Sequence, residues 1–366
     1  MEKVDTVIIG GGVIGLAVAE CLSRRPGDIL LLEKESSFGQ HCSSRNSEVI
    51  HSGIYYAKDS LKARLCVKGN ASLYAFLEAQ DIPHKRCGKL VIASDADQME
   101  QLETLFRNGK ENGVEGLEIF PAENVFRMEP LFRAHAALWV PSTGVLDTHR
   151  LMKAMESRAK KQGVLMVHDH EVIGIRKEKT GYRVYVAPGD FQIRAKTVVN
   201  AAGLWSDRVC AMAGLDPDAA GYRLHWNRGE YYKTSRYRDI KHLVYPLPDP
   251  DGVHLGIHTV VSLSGELSFG PSSRYVTDID YRMDENLHQF FYDSINQYLD
   301  VDYDDIWPDM CGIRPKLQGP GDLERDFVIS DEESKGYPGL INLIGIESPG
   351  LTCCLSIAEL VDQLVI

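Results

Sequence analysis

A chain of 366 residues is too long for one ordinary hydrophobic core and short enough for two closely packed domains. Hydrophobic residues make up 44% and charged residues 25%, the balance of a globular protein, which excludes a fibrous or disordered chain. With 40 Lys and Arg against 52 Asp and Glu the formal charge is −12, so the mean field repels nucleic acid and anionic lipid, and an anionic substrate needs a local basic site.

Met1 to Asp5 run directly into an apolar, β-branched stretch, Val4–Ile9, without a basic leader or an apolar span long enough for a bilayer. This strand ends on Gly10-Gly11-Gly12-Val13-Ile14-Gly15. The following residues have helical composition up to Pro26-Gly27, and Ile29–Leu32 reads as a second buried strand closing on Glu33. The unit is βαβ with a dinucleotide fingerprint. Gly10 permits the tight turn, Gly12 admits a pyrophosphate, and Gly15 lets helix and strand pack closely. The helix N-terminus, with Val13 and Ile14, favours the phosphates, and Glu33 can accept from the ribose hydroxyls, which disfavours a 2′-phosphate.

His41-Cys42-Ser43-Ser44-Arg45-Asn46 links the Glu33 strand to a histidine block at His51. Ala71–Gln80 has helical composition, and Tyr182–Val186 and Leu243–Tyr245 alternate like strands. Thr197–Asn200 is a buried strand running into Ala201-Ala202-Gly203-Leu204-Trp205. Glu285–Tyr298 is again helical in composition. Near the C-terminus Leu340–Ile346 is an apolar strand, and Ser348-Pro349-Gly350-Leu351-Thr352 opens an amphipathic helix to Leu364. The eight cysteines form no CxxC pair and no zinc spacing, so no metal is expected, and a reduced, cytoplasmic protein is the simplest account.

The Thr197–Asp207 segment resembles the strand-to-turn segment beside the dinucleotide in flavoproteins with a two-dinucleotide-binding fold. Further blocks carry the resemblance: Asn46–Tyr56, Ser60–Ala63, Cys87–Leu90, Thr143–Asp147, Arg228–Tyr231 and Leu255–His258. Together they resemble the D-amino-acid oxidase superfamily of FAD enzymes and, within it, the L-2-hydroxyglutarate dehydrogenase and oxidase group. Two departures stand out. Glu48 occupies a position where that group usually has glycine, and Glu347–Thr352 replaces its usual flavin loop.

The resemblance implies an α/β fold, α+β overall: an FAD-binding, Rossmann-like two-dinucleotide-binding fold with an inserted mixed-sheet substrate domain. The markers near residues 10, 200 and 345 place 1–80, 145–215 and 325–366 in the FAD domain, and 81–144 with 216–324 in the substrate domain. The expected FAD contacts are Gly10, Gly12, Val13, Ile14, Gly15, Glu33, Lys34, Ser43, Ser44, Arg45, Asn46, Val172, Ala201, Ala202, Gly203, Trp205, Arg314, Ser348, Pro349, Gly350, Leu351 and Thr352. Noncovalent binding is expected, although His41 and Cys42 are placed for a covalent link. The last helix points its N-terminus at the flavin pyrimidine ring, where its free N–H groups favour negative charge. No second fingerprint is present, so the substrate reduces the flavin directly.

The implied reaction is oxidation of a small 2-hydroxy acid, L-2-hydroxyglutarate to 2-oxoglutarate, by hydride transfer to flavin N5. It needs a carboxylate clamp, a base for the hydroxyl proton, and alignment of the Cα–H. His51 is the first choice of base and His258 the second. Arg314, held between Ile313 and Pro315 in Cys311–Pro315, is the clamp, with Lys316 and Arg228 as further cations. The electron acceptor is oxygen or a quinone, and a quinone would bring the protein to a membrane surface. Competing substrates are an amino acid or amine of the glycine and sarcosine type, or glycerol 3-phosphate. A FAD-binding protein acting through a partner or in tRNA modification is a third class.

Overall fold

The computed structural model describes residues 2–248 and 256–365. The Leu255 end of the Leu255–His258 block therefore lies outside the described residues. The chain divides into two compact units: residues 1–44, 148–226 and 314–366, and residues 45–147 and 227–313.

The first unit is built on one eight-stranded sheet. Five strands run parallel: Leu165–Val167, Ile29–Leu32, Glu2–Ile9, Phe191–Asn200 and Tyr337–Ile344. Glu2–Ile9 lies between Ile29–Leu32 and Phe191–Asn200, with Ile9 in register with Leu32 on one side and Asn200 on the other. The chain passes from that strand to Ile29–Leu32 on one side and comes back to Phe191–Asn200 on the other, so its C-terminal end is the switch point at which open α/β sheets bind ligands. Phe191–Asn200 changes partner along its length. Residues up to Ala195 pair antiparallel with Tyr182–Ala187, and Val198–Asn200 pair parallel with Leu340–Asn342.

The fingerprint helix spans Val13–Leu22 and packs against the helices Thr148–Lys161 and Gly350–Leu364. Buried on more than one side, it is apolar nearly all round, and its one buried acid, Glu20, is bound by Arg24 at 2.7 Å and Arg158 at 2.8 Å. A second polar network ties the strand ends: Asn200 Nδ2 donates to Asn342 Oδ1 at 2.8 Å, and Asn342 Nδ2 donates to the buried Glu332 carboxylate at 3.1 Å.

The second unit holds three smaller sheets. In one, Lys89–Ala93 lies parallel to Leu243–Pro246 and antiparallel to Ala136–Val140, which pairs with Glu118–Pro121. In another, Val49–Ile50 and His84–Lys85 flank Gly144–Leu146. The third contains His258–Val261 and Leu267–Gly270, antiparallel to one another. An apolar core joins Leu90, Val91, Leu138, Val244, Tyr245, Phe269 and Phe291.

Residues 45–80, grouped by the sequence reading with the first segment, fall in the second unit. The reason is the Val49–Ile50 pairing with Gly144–Leu146 and the Asn70 side chain, which donates to the carbonyls of His51 and Ser142 at 2.9 Å each. The helix expected over Ala71–Gln80 spans Leu61–Ala79, because the Ser60 hydroxyl accepts from Ala63 N at 3.1 Å and starts it earlier. The helical stretch expected over Glu285–Tyr298 is a 3₁₀ turn, Glu285–Leu287, followed by a helix over His288–Ile295. No helix among the described residues is long and apolar enough to cross a membrane.

Candidate functional site

In the first unit the strand ends converge on the glycine turn. Gly10 N donates to Leu32 O at 2.8 Å and Ala201 N donates to Ile9 O at 2.9 Å. Gly10 has φ 109°, a left-handed conformation, and a β-carbon there would lie 2.5 Å from Ala201 O. Gly15 is tighter still, its β-carbon falling 1.9 Å from Gly10 O. Among the described residues a β-carbon on Gly12 meets only Ser43 Oγ within 4 Å, at 3.0 Å, so this side of the turn is open to a ligand. Ser43 Oγ accepts from Val13 N at 2.9 Å. The helix end carries no first-turn carboxylate and no cap from Gly12, which suits an anion.

Glu33 is buried and one of its oxygens accepts from Gly11 N at 2.6 Å, the other from Glu35 N at 2.9 Å. Its carboxylate therefore also fixes the turn. Lys34 Nζ lies 3.4 Å from the centre of the Trp205 ring, and His41 meets the same ring edge-on at 4.7 Å while its Nε2 lies 2.9 Å from Glu35 Oε1. Ala202 N donates to Asn200 Oδ1 at 3.3 Å, and Gly203, at φ 53°, opens the 3₁₀ turn Gly203–Trp205. Val172 is buried on the strand Glu171–Lys177 within the core of this unit.

Ser348 and Pro349 precede the Gly350–Leu364 helix, whose first turn holds Leu351 and the fully buried Thr352 and contains no acid. A β-carbon on Gly350 would lie 3.9 Å from Ile14, which records how closely the two helix starts approach. Arg314, half-buried, sits in the strand Trp307–Lys316. Lys316 is engaged with Glu347 at 3.1 Å.

In the second unit Arg45 stacks over Tyr281 at 4.1 Å and reaches Cys311 O at 3.5 Å, and Asn46 Oδ1 accepts from Glu48 N at 2.8 Å. Ser44 N donates to His41 O at 3.1 Å, within the first unit. Arg228, left open as a second clamp, is buried and bound to Glu230 at 2.5 Å. Glu48 has φ 56°, the left-handed conformation in which glycine is unstrained. That explains why glycine suits the position and locates the departure in the backbone.

His51 follows the Val49–Ile50 strand and is anchored through its carbonyl by Asn70. Burial, and after it the charge of Lys89, pushes its imidazole down to about 3, so the ring is neutral at physiological pH. His258 is buried at the head of its strand, with Nδ1 3.2 Å from Gly256 O, and its ring stacks on Tyr245 at 3.7 Å. Sequence reasoning gave Lys89, Tyr55 and Tyr245 no role. Lys89 has no exposed surface, and its Nζ lies 4.4 Å from the Tyr55 ring centre and 4.6 Å from that of Tyr245. Its available signal is a lysine opening the apolar run Leu90–Ala93, next to glycine.

The parallel sheet, the open glycine turn at its switch point and two helix starts without a first-turn carboxylate define a dinucleotide-dependent oxidoreductase of the flavoprotein type. Residues 5–364 match the family described as FAD dependent oxidoreductase, DAO. The chain belongs to that family, and FAD is its cofactor. It is 38% identical to a protein of Arabidopsis thaliana named L-2-hydroxyglutarate dehydrogenase, mitochondrial, over 98% of this chain and 82% of that one. It is 34% identical to L-2-hydroxyglutarate dehydrogenase of Indibacter alkaliphilus over 74% of this chain and 67% of that one. Among solved structures, L-alpha-glycerophosphate oxidase of Mycoplasma pneumoniae superimposes with a TM-score of 0.89 at 24% identity, covering 100% of this chain and 95% of that one. That likeness establishes the fold alone.

Proposed function

We propose that the chain oxidises L-2-hydroxyglutarate to 2-oxoglutarate. The observation that carries this reading is the 38% identity, over 98% of the chain, to a protein named for that substrate. The chemistry of the residues is compatible with it. His51, a neutral imidazole, is the acceptor for the hydroxyl proton, and His258 is the alternative. Arg314 holds the carboxylate beside the reacting carbon.

FAD, when bound, takes up the two electrons of the oxidation. The residues that would hold it are the Gly10–Gly15 turn, Glu33, Lys34, Ser43, Ser44, Arg45 and Asn46, with Val172, the Ala201–Trp205 turn, Arg314 and the start of the Gly350–Leu364 helix. Gly12 and the two helix ends take its negative charge. The electron acceptor would be oxygen or a quinone, and a quinone would recruit the protein to a membrane surface.

Anaerobic titration of the yellow protein with 2-hydroxy acids, amino acids and glycerol 3-phosphate tests the reading through loss of flavin absorbance. Bleaching by L-2-hydroxyglutarate at the lowest concentration is expected. Preferential bleaching by an amine or by glycerol 3-phosphate would overturn it.

A further inference from the structure

Glu332, Asn342 and Asn200 have no exposed surface, and polar side chains so placed are costly unless their donors and acceptors are matched. Here they are matched along one line. Lys335 Nζ donates to Glu332 Oε2 at 2.6 Å, and the Tyr222 hydroxyl donates to Glu332 Oε1 at 3.0 Å. Asn342 Nδ2 donates to the same Oε1 at 3.1 Å and reaches Cys210 Sγ at 3.8 Å. Asn342 Oδ1 accepts from Asn200 Nδ2 at 2.8 Å, the two asparagines being in register on neighbouring parallel strands.

The direction of the line follows from the carboxylate, which can only accept. Asn342 must turn its amide nitrogen toward Glu332 and its oxygen toward Asn200. Asn200 must then give its nitrogen to Asn342, and its oxygen is left to face the turn, where it accepts from Ala202 N at 3.3 Å. The same Asn200 Nδ2 donates to Ser206 O at 2.7 Å. One side chain thus ties the residue before the Gly203–Trp205 3₁₀ turn to the residue after it.

We propose that Glu332 is a positioning residue for the cofactor: through Asn342 and Asn200 it fixes the polarity of the amide that closes the Ala201–Trp205 turn, and so presets that turn for FAD. The inference rests on the assignment of this turn to FAD. A turn held in its bound form spares the ligand the cost of ordering it. With an amide in place of the carboxylate, Lys335 draws the amide oxygen to itself and leaves the amide nitrogen on Asn342. Both asparagines then reverse, and Asn200 sets a donor against the Ala202 N–H.

The test is the FAD dissociation constant of the full chain, loaded with FAD and serially diluted, read as recovery of free-flavin fluorescence. Glu332→Gln, which keeps the shape, and Asn342→Leu, which cuts the line, should each weaken FAD by about tenfold to a hundredfold, the cost of leaving a buried donor unmatched. Lys335→Met should bind FAD like wild type, since the carboxylate remains. The double variant Glu332→Gln with Lys335→Met should recover affinity, because the glutamine oxygen is free to turn back to Asn342. An unchanged constant in folded Glu332→Gln or Asn342→Leu overturns the proposal. So does a loss in Glu332→Gln that Lys335→Met does not repair, or failure of both Glu332→Gln and Asn342→Leu to fold, either of which would make the carboxylate a structural group. Gly203→Asp is measured beside them: Gly203 has φ 53°, which aspartate tolerates, and among the described residues its β-carbon meets nothing within 4 Å. Its added negative charge should weaken FAD, and unchanged affinity there would instead overturn the assignment of the turn.

Discussion

A β-carbon on Gly15 would stand 1.9 Å from the carbonyl oxygen of Gly10, so the first helix meets the first strand where no side chain fits. The obstructing atom is backbone and cannot swing aside. Gly12 differs, because among the described residues the near neighbour of its β-carbon is the Ser43 hydroxyl, at 3.0 Å. Gly15→Ala is therefore expected to disrupt the fold of this unit, lowering both thermal stability and FAD content. Gly12→Ala should fold, and Gly12→Val should fold while losing FAD, since its branched side chain occupies the space above the turn. Melting curves and the ratio of flavin to protein absorbance distinguish the three. Normal FAD content in Gly12→Val would show that the turn does not hold the phosphates.

Glu48 adopts φ 56° with its N–H bonded to Asn46 Oδ1. A non-glycine residue in this region pays roughly 1–2 kcal/mol of steric cost, against which glycine loses more chain entropy on folding, roughly 0.5–1 kcal/mol. Glu48→Gly should accordingly raise stability slightly, by up to about 1 kcal/mol, and Glu48→Val should lower it, because a β-branched side chain is least tolerant there. Denaturant midpoints check both signs.

These two cases mark what the sequence discloses. The strand, glycine turn and helix at residues 2–22 were legible because each residue type answers a local need of the backbone. So were the strand and helix near residues 340–364, from apolar periodicity and the Pro349–Gly350 punctuation. The division of the chain after Ser44 was not, because it follows from Val49–Ile50 pairing with Gly144–Leu146, nearly a hundred residues away. The Asn200–Asn342 bond and the ring clamp on Lys89 are likewise products of strand register. In the sequence Lys89 figures only within the Cys87–Leu90 block, with no role of its own.

His51→Ala is expected to slow flavin reduction by about two to four orders of magnitude, the usual reach of a general base, with FAD retained. Stopped-flow reduction under anaerobic conditions measures it. A change of less than about fivefold would shift the role to His258 or to no side chain.

Two buried groups, Lys89 and His51, make stability depend on pH. The folded values of Lys89, about 7, and His51, about 3, lie below their ordinary ones, so in both cases the unfolded chain binds protons more readily. For Lys89 stability is full above about 10.4 and is lost as pH falls toward 7; for His51 it is lost as pH falls from about 6.5 toward 3. Lys89→Met should thus stabilise the protein at pH 7, by roughly 1–4 kcal/mol, the range found when buried charges give way to apolar groups. The advantage should shrink above pH 10. Melting at pH 7 and pH 10.5 tests this, and a destabilised Lys89→Met protein at pH 7 would mean that the two tyrosine rings stabilise the cation more than burial penalises it.

Arg314 is the proposed cation for the carboxylate; of the two alternatives, Lys316 is engaged with Glu347 at 3.1 Å and Arg228 with the buried Glu230 at 2.5 Å. Removing either from its partner would strand a carboxylate that is at most a few per cent exposed, so neither is spare. Arg314 stands before Pro315 in the strand Trp307–Lys316. Arg314→Lys keeps the charge and loses the planar fork, and should weaken binding of acidic substrates and slow reduction. Arg314→Ala should go further, by roughly 2–5 kcal/mol in the apparent affinity, the cost of leaving one partner of a desolvated charge pair alone. FAD content and melting temperature should hold in both, measured beside substrate titration of the oxidised flavin. Unchanged affinity in Arg314→Ala would return the residue to a structural role and leave the carboxylate to a group outside these three cations.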